Sequence, residues 1–153
     1  MSYIDRNLLP DERILFRTRK HIIIFLFPLL FLIFSIYAGV YIRSNPILVR
    51  LEWAPWLVTA IWWAAVGIEY TTSEFAVTNK RLMMREGFFY RHALEMRLAT
   101  ISQVNIVQSL LGQLLDYGAI MINAFGANDS FSYIGKPYLF QKYVNEELDK
   151  LTR

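Results

Sequence analysis

Cysteine is absent from the 153 residues, and histidine occurs only twice, at His21 and His92. The lack of thiols excludes disulfide and thiolate chemistry and leaves the redox compartment open. The two histidines stand far apart, with no metal-ligand spacing around either. His21 opens an apolar run and reads as an interfacial side chain. His92 has the strand parity of Leu94 and Met96, so a partly buried imidazole with a partner is expected there. The seven glycines form neither a G-x-G-x-x-G nor a P-loop spacing. Ser102, Ser109 and Ser132 lie in no nucleophile-elbow context. Glu95 and Asp116 are the carboxylates one would pair as acid and base, yet charges on strand faces and loops are solvated by default. No catalytic residue, metal or cofactor is expected, and the chain reads as a non-enzyme. Repeats, low-complexity tracts and Ser/Gly linkers are lacking as well.

Charge is missing where it matters most. His21 to Ile42 reads HIIIFLFPLLFLIFSIYAGVYI, without a formal charge after the opening His. At roughly 1.5 Å per residue, about 22 residues cover ~33 Å, enough to cross a hydrocarbon core about 30 Å thick. Trp53 to Ile68 is shorter and reaches spanning length once Leu51 and Tyr70 are counted, with Glu52 and Glu69 in the interfaces. A soluble core helix is rarely apolar around its whole circumference for six turns, and a signal peptide has a shorter apolar core and a small-residue cleavage site. The expected organisation is a transmembrane hairpin over 21–68, with helices over 21–42 and 53–68 and a loop over 43–52. An N-terminal segment, 1–20, precedes it, and a second domain, 69–153, follows.

Basic residues set the orientation. Arg6, Arg13, Arg17, Arg19 and Lys20 precede the first run, only Arg43 and Arg50 lie in the loop, and Lys80, Arg81 and Arg85 follow the second run. Both termini are therefore expected in the cytoplasm. The net charge of +3 and pI near 9.2 suit an anionic bilayer and call for no nucleic acid.

After Glu69 the pattern changes to a period of two. Phe75 and Val77, then Arg81 to Arg85, then Leu94, Met96 and Leu98 read as strands, followed by Val104 to Val107, Ala119 to Ala124 and Phe131 to Ile134. Ser109 to Gly118 (SLLGQLLDYG) interrupts them as a tight apolar connection. Pro137 suits a first helical position, and Phe140, Tyr143, Val144, Leu148 and Leu151 then recur at steps of three and four. Antiparallel strands closed by one amphipathic helix make an α+β module.

The run from Tyr70 to Ile122, YTTSEFAVTNKRLMMREGFFYRHALEMRLATISQVNIVQSLLGQLLDYGAIMI, resembles the bacterial pleckstrin-homology-like family found beside membrane helices. The resemblance rests on the Thr78-Asn79-Lys80-Arg81-Leu82 hairpin, a Gly turn, Ile-x-x-Val and Leu-Leu-Gly-x-Leu-Leu-x-Tyr-Gly in that order. Leu9-Pro10-Asp11-Glu12-Arg13 and Arg19-Lys20-His21 resemble the small membrane members of the family. Asp116 departs from it, standing where small residues are common. The resemblance implies a bent antiparallel sheet, or partly open barrel, of about seven strands closed by the C-terminal helix, at a bacterial inner membrane. Pattern alone finds six of those strands.

Two residue groups are singled out. Lys80, Arg81, Arg85, Arg91 and Arg97 form a candidate basic patch for leaflet or lipid headgroup contact, in which Arg81 and Arg85 share a strand face. Ala60, Ala64 and Gly67 are candidates for membrane-helix packing, within the hairpin or in a homo-oligomer. The expected partners are the phospholipid bilayer and a protein held at the membrane by a non-enzymatic scaffold. Anionic-headgroup sensing and an accessory role in a transport or enzyme complex are the alternatives.

Overall fold

The computed structural model describes residues 3–87, 92–124 and 127–151. In chain order the elements are α1 (Tyr3–Arg6), β1 (Ile14–Thr18), α2 (Leu26–Ser44), α3 (Ala54–Thr72), β2 (Glu74–Thr78), β3 (Arg81–Glu86), β4 (His92–Arg97), β5 (Gln103–Val107), α4 (Leu110–Leu115), β6 (Tyr117–Ala124), β7 (Ala127–Gly135) and α5 (Pro137–Leu151). They form two compact units, Ile22–Thr71 and a module of Met1–His21 with Thr72–Arg153.

The first unit holds two apolar helices. The stretches Ile22–Ser44 and Val49–Thr72 are long and apolar enough to cross a membrane by length and composition. Neither has a polar face, and side chains such as Phe27, Ile33, Tyr37, Val40 and Ile61 are exposed. The contact between the helices is polar and aromatic. Ser35 Oγ and Thr59 Oγ1 are buried 2.7 Å apart, and Thr59 also donates to the Pro55 carbonyl at 2.7 Å. The Trp63 indole N–H donates to the Pro28 carbonyl at 3.2 Å, and the Phe25 ring lies 5.5 Å from the rings of both Trp63 and Tyr70. A Cβ at Gly39 would come 3.3 Å from the Trp56 indole nitrogen, so glycine leaves room for that ring against α2. These contacts recur on α3 at Trp56, Thr59, Trp63 and Tyr70, one helical face. Ala60 and Ala64 lie off that face and are exposed, and a Cβ at Gly67 would meet nothing within 4 Å. Packing within the pair therefore does not run through the small residues singled out from the sequence.

The module contains a four-stranded sheet, β1-β2-β3-β4, and a three-stranded sheet, β5-β6-β7, all pairs antiparallel. The seventh strand is β1, supplied by the N-terminal segment and paired with β2, Phe16 opposite Val77 and Thr18 opposite Phe75. Beyond Thr18 the chain reaches the second sheet. Lys20 bridges Ile134, the His21 N–H donates to the Tyr133 carbonyl at 2.6 Å, and the Gly135 N–H donates to the Arg19 carbonyl at 3.1 Å. Phe75, Leu82, Ile120, Phe131, Phe140 and Val144 are fully buried in the core between the sheets and α5. Phe16 stacks on Tyr143 of α5 at 5.2 Å, which ties the closing helix to the N-terminal strand. Glu147 interrupts the stripe of α5, and it is buried with its carboxylate bonded by Lys150. Leu151 is exposed, so the stripe ends at Leu148.

A second, smaller cluster explains why all five positions of β2 are buried. Ile4 of α1 packs on Ala76 and Met83, with Tyr3 and Ile14 beside them, and so covers the outer face of the first sheet.

The Ser109–Gly118 connection is a rigid motif. Ser109 caps α4 by accepting the Gly112 N–H at 3.1 Å, and the Gln108 amide donates to the Tyr117 carbonyl at 2.9 Å. Asp116 ends the helix in the left-handed region at φ 56, ψ 48, a conformation that glycine adopts freely and Asn or Asp tolerate, which is why Asp can stand there. A Cβ at Gly112 would come within 2.6 Å of the Tyr117 carbonyl oxygen, a backbone atom that cannot move aside cheaply. Gly112→Ala is therefore expected to destabilise the module by about 1–3 kcal/mol. Faster amide exchange across α4 and β6 than in the parent protein would show it; unchanged exchange would mean that the loop relaxes freely.

Candidate functional site

Two sequence motifs 66 residues apart become one structure at the start of β1. The Asn79 side-chain carbonyl accepts the Arg13 N–H at 2.9 Å, and the Asn79 N–H donates to the Arg13 carbonyl at 3.2 Å. The Lys80 ammonium donates to the Pro10 carbonyl at 2.8 Å. The Glu12 carboxylate accepts from Thr78 Oγ1 at 2.7 Å, from the Leu9 N–H at 2.7 Å, and from Arg81 Nε and Nη2 at 3.0 and 3.1 Å. Arg81 also donates to Glu95 at 2.6 Å and to the Asn7 carbonyl. The Glu12 side chain is fully buried and that of Arg81 is 15% exposed.

Burial alone would raise the Glu12 carboxyl, but the hydrogen bonds from Arg81, Leu9 and Thr78 and the Arg81 charge together hold it below its ordinary value of 4.5. The same hydrogen bond, donated to Glu12, outweighs desolvation at Arg81 and raises the guanidinium. Arg81 is thus the counter-ion of a buried carboxylate.

The remaining basic residues divide. Arg85 does share a face with Arg81, but that face lies under the N-terminal segment, and its guanidinium stacks over the Tyr3 ring at 4.4 Å. Arg97 lies opposite Arg81 in the register and is exposed, its side chain bonded to none of the described residues. Arg91 lies outside the described residues. Lys80, Arg81 and Arg97, with Leu9 and Glu95, line an open depression of about 420 Å³. His92 is 52% exposed rather than partly buried, stacking on Phe131 at 5.4 Å with Asp129 at 3.8 Å. Glu95 belongs to the Arg81 network and Asp116 to the end of α4, so the two carboxylates do not meet.

Register fixes where these groups lie along the strands. The connections to Ile22–Thr71 leave the module after His21 and return at Thr72, beside the Thr18–Phe75 end of the β1–β2 pair. Thr78, Asn79 and Lys80 turn at the other end, opposite Ile14 and Arg13. Five strand residues at about 3.3 Å each separate the two ends by roughly 17 Å. Edges differ too. The Gln141 amide of α5 donates to the Val104 carbonyl of β5 at 2.6 Å, which covers that edge. Among the described residues β4 pairs only with β3.

A helix-closed pair of antiparallel sheets with an N-terminal strand defines the class, and comparison identifies it. Residues 13–148 match the bacterial PH domain family, and the chain belongs to that family. The match begins at the first residue after the buried Glu12 and takes in both apolar helices. No curated protein matches the chain.

Proposed function

We propose that the protein is a non-enzymatic scaffold of the inner membrane. The two apolar helices span the bilayer as a hairpin, and the PH-like module, a partly open barrel, works at the cytoplasmic face with both termini inside. The observation that carries the membrane reading is the exposure of the apolar side chains of α2 and α3, which water would not tolerate over so large an area. The fold is a generally non-catalytic one, and Glu12 and Glu95 serve the structural pairing with Arg81.

The partner surface in this reading is the β4 edge with the adjoining depression. An edge strand offers unpaired backbone groups to an extended peptide. Lys80 and Arg97 beside it favour an acidic one. Headgroup binding by the same cations is the second reading, supported by that depression.

A photo-crosslinking residue in place of Ala93 or Arg97, in cells making the full chain, tests the two readings together. A protein adduct is expected at both positions and not at the exposed Asn145 of α5. Lipid adducts at Arg97 would replace the scaffold with a headgroup sensor, and identical adducts at all three positions would remove the β4 edge as the partner site.

A further inference from the structure

The most exposed large apolar residues of the module stand on the six-residue helix α4. Leu110 is 85% exposed and Leu114 80%, with Leu111 and Leu115 exposed beside them. This is not a loose loop turned outward. The Ser109 cap, the Gln108 bonds and the close approach of Gly112 to the Tyr117 carbonyl hold α4 in place, so the leucines are displayed by a rigid frame.

The position of α4 names what covers it. Tyr117 opens β6 with one residue, Asp116, between it and α4, and its ring stacks on His21 at 5.2 Å and lies 6.3 Å from Tyr133. His21 is the residue before the first apolar stretch, Ile22–Ser44. The leucines thus sit at the end of the module where the chain passes into that stretch. The His21–Tyr117–Tyr133 ring cluster at this end of the module suits a water–lipid boundary, where amphipathic rings are at home.

We propose that α4 is a second, non-spanning membrane contact, which sinks Leu110 and Leu114 into the headgroup–acyl boundary of the bilayer that holds α2 and α3. This rests on the spanning reading of those helices. A helix lying in the plane of the interface buries its apolar face about 5–10 Å into the headgroup–acyl boundary, and the i, i+4 spacing of Leu110 and Leu114 puts both on one such face of α4. The ligand is the apolar lipid surface, without headgroup selectivity. Because the contact is apolar, it is insensitive to salt, unlike contact through Lys80 and Arg97.

The absence of native cysteine makes the test direct. Leu114→Cys, Arg97→Cys and Ile33→Cys are each labelled with an environment-sensitive fluorophore in the full chain, reconstituted in bilayers with spin-labelled lipids. The label at Leu114 is expected to emit to the blue and lose emission to a quencher placed high on the acyl chain, equally at low and high salt. The Arg97 label is expected to stay unquenched, and the Ile33 label to be quenched by a probe deep in the chain. If Ile33 is quenched and Leu114 is not, α4 does not touch lipid and the proposal fails alone. Blue-shifted but unquenched emission at Leu114 means that a second copy or another protein covers the leucines, and overturns it equally. If Ile33 is unquenched, the spanning reading falls and takes the proposal with it.

Discussion

Replacing Arg81 with methionine is expected to destabilise the module by about 3–5 kcal/mol, the cost of leaving a buried carboxylate without its cation. Glu12 would keep the Thr78 hydroxyl and the Leu9 N–H but lose two charge-assisted bonds, and Glu95 and the Asn7 carbonyl would each lose a donor. The pH dependence carries the sign. A carboxyl held below 4.5 in the folded protein contributes stability in full above that value and loses it as pH falls through the folded pKa. The parent protein should weaken on that acid limb, and the gap between parent and variant should narrow, since a protonated Glu12 needs no cation. All four Trp residues lie in Ile22–Thr71, so Trp fluorescence does not follow this module. Hydrogen exchange of the β2 amides does. A gap that widened on acidification would show that Glu12 is not the group Arg81 serves.

Phe140→Ala should have an effect of comparable size, about 3–5 kcal/mol, through a different cause. The ring is fully buried between the sheets and meets Phe16 edge-on at 6.4 Å. Its loss leaves a cavity at the junction of α5, β1 and the core. Because β1 depends on α5 through Phe16 and Tyr143, the variant is expected to expose β1 and α5 to protease together. Cleavage confined to α5 would mean that the helix is a separable lid. The cavity cost is independent of pH, so the two variants are distinguished by their acid limbs as well as by their fragments.

β4 and β6 were legible because their two faces differ in burial. Leu94 and Met96 alternate with Ala93, Glu95 and Arg97 and keep that parity in β4. The parity of His92 was right as well, but an end position on an edge strand leaves half the ring in water. The strand Ile14–Thr18 was hidden because it does not alternate, all its residues but the exposed Arg17 being half-buried, and because it stands among cations that read as a helix flank. The shared face of Arg81 and Arg85 could be read from spacing. That the face would be roofed by residues 3–12 could not, since nothing local in Glu12 names a partner 69 residues away. The apolar character of Ser109 to Gly118 was plain in the sequence. Its exposure was not, because periodicity cannot tell a leucine turned inward from one held out by a capped and glycine-tightened frame.

The N-terminal strand has a consequence for the order in which the protein comes into being. β1 leaves the ribosome before either apolar helix, yet its partner β2 comes after both. Until Phe75 and Val77 are synthesised, Ile14 to Thr18 is a strand without a sheet, and Glu12 is a carboxylate without its arginine. Closing so long a loop is slow relative to local structure, so the module is a late folder by construction. It completes itself only once the intervening Ile22–Thr71 has been made and its two ends brought side by side. A nascent chain whose helices are misplaced would leave those ends apart. It would then remain unfinished, presenting an open strand edge to quality control instead of a closed sheet.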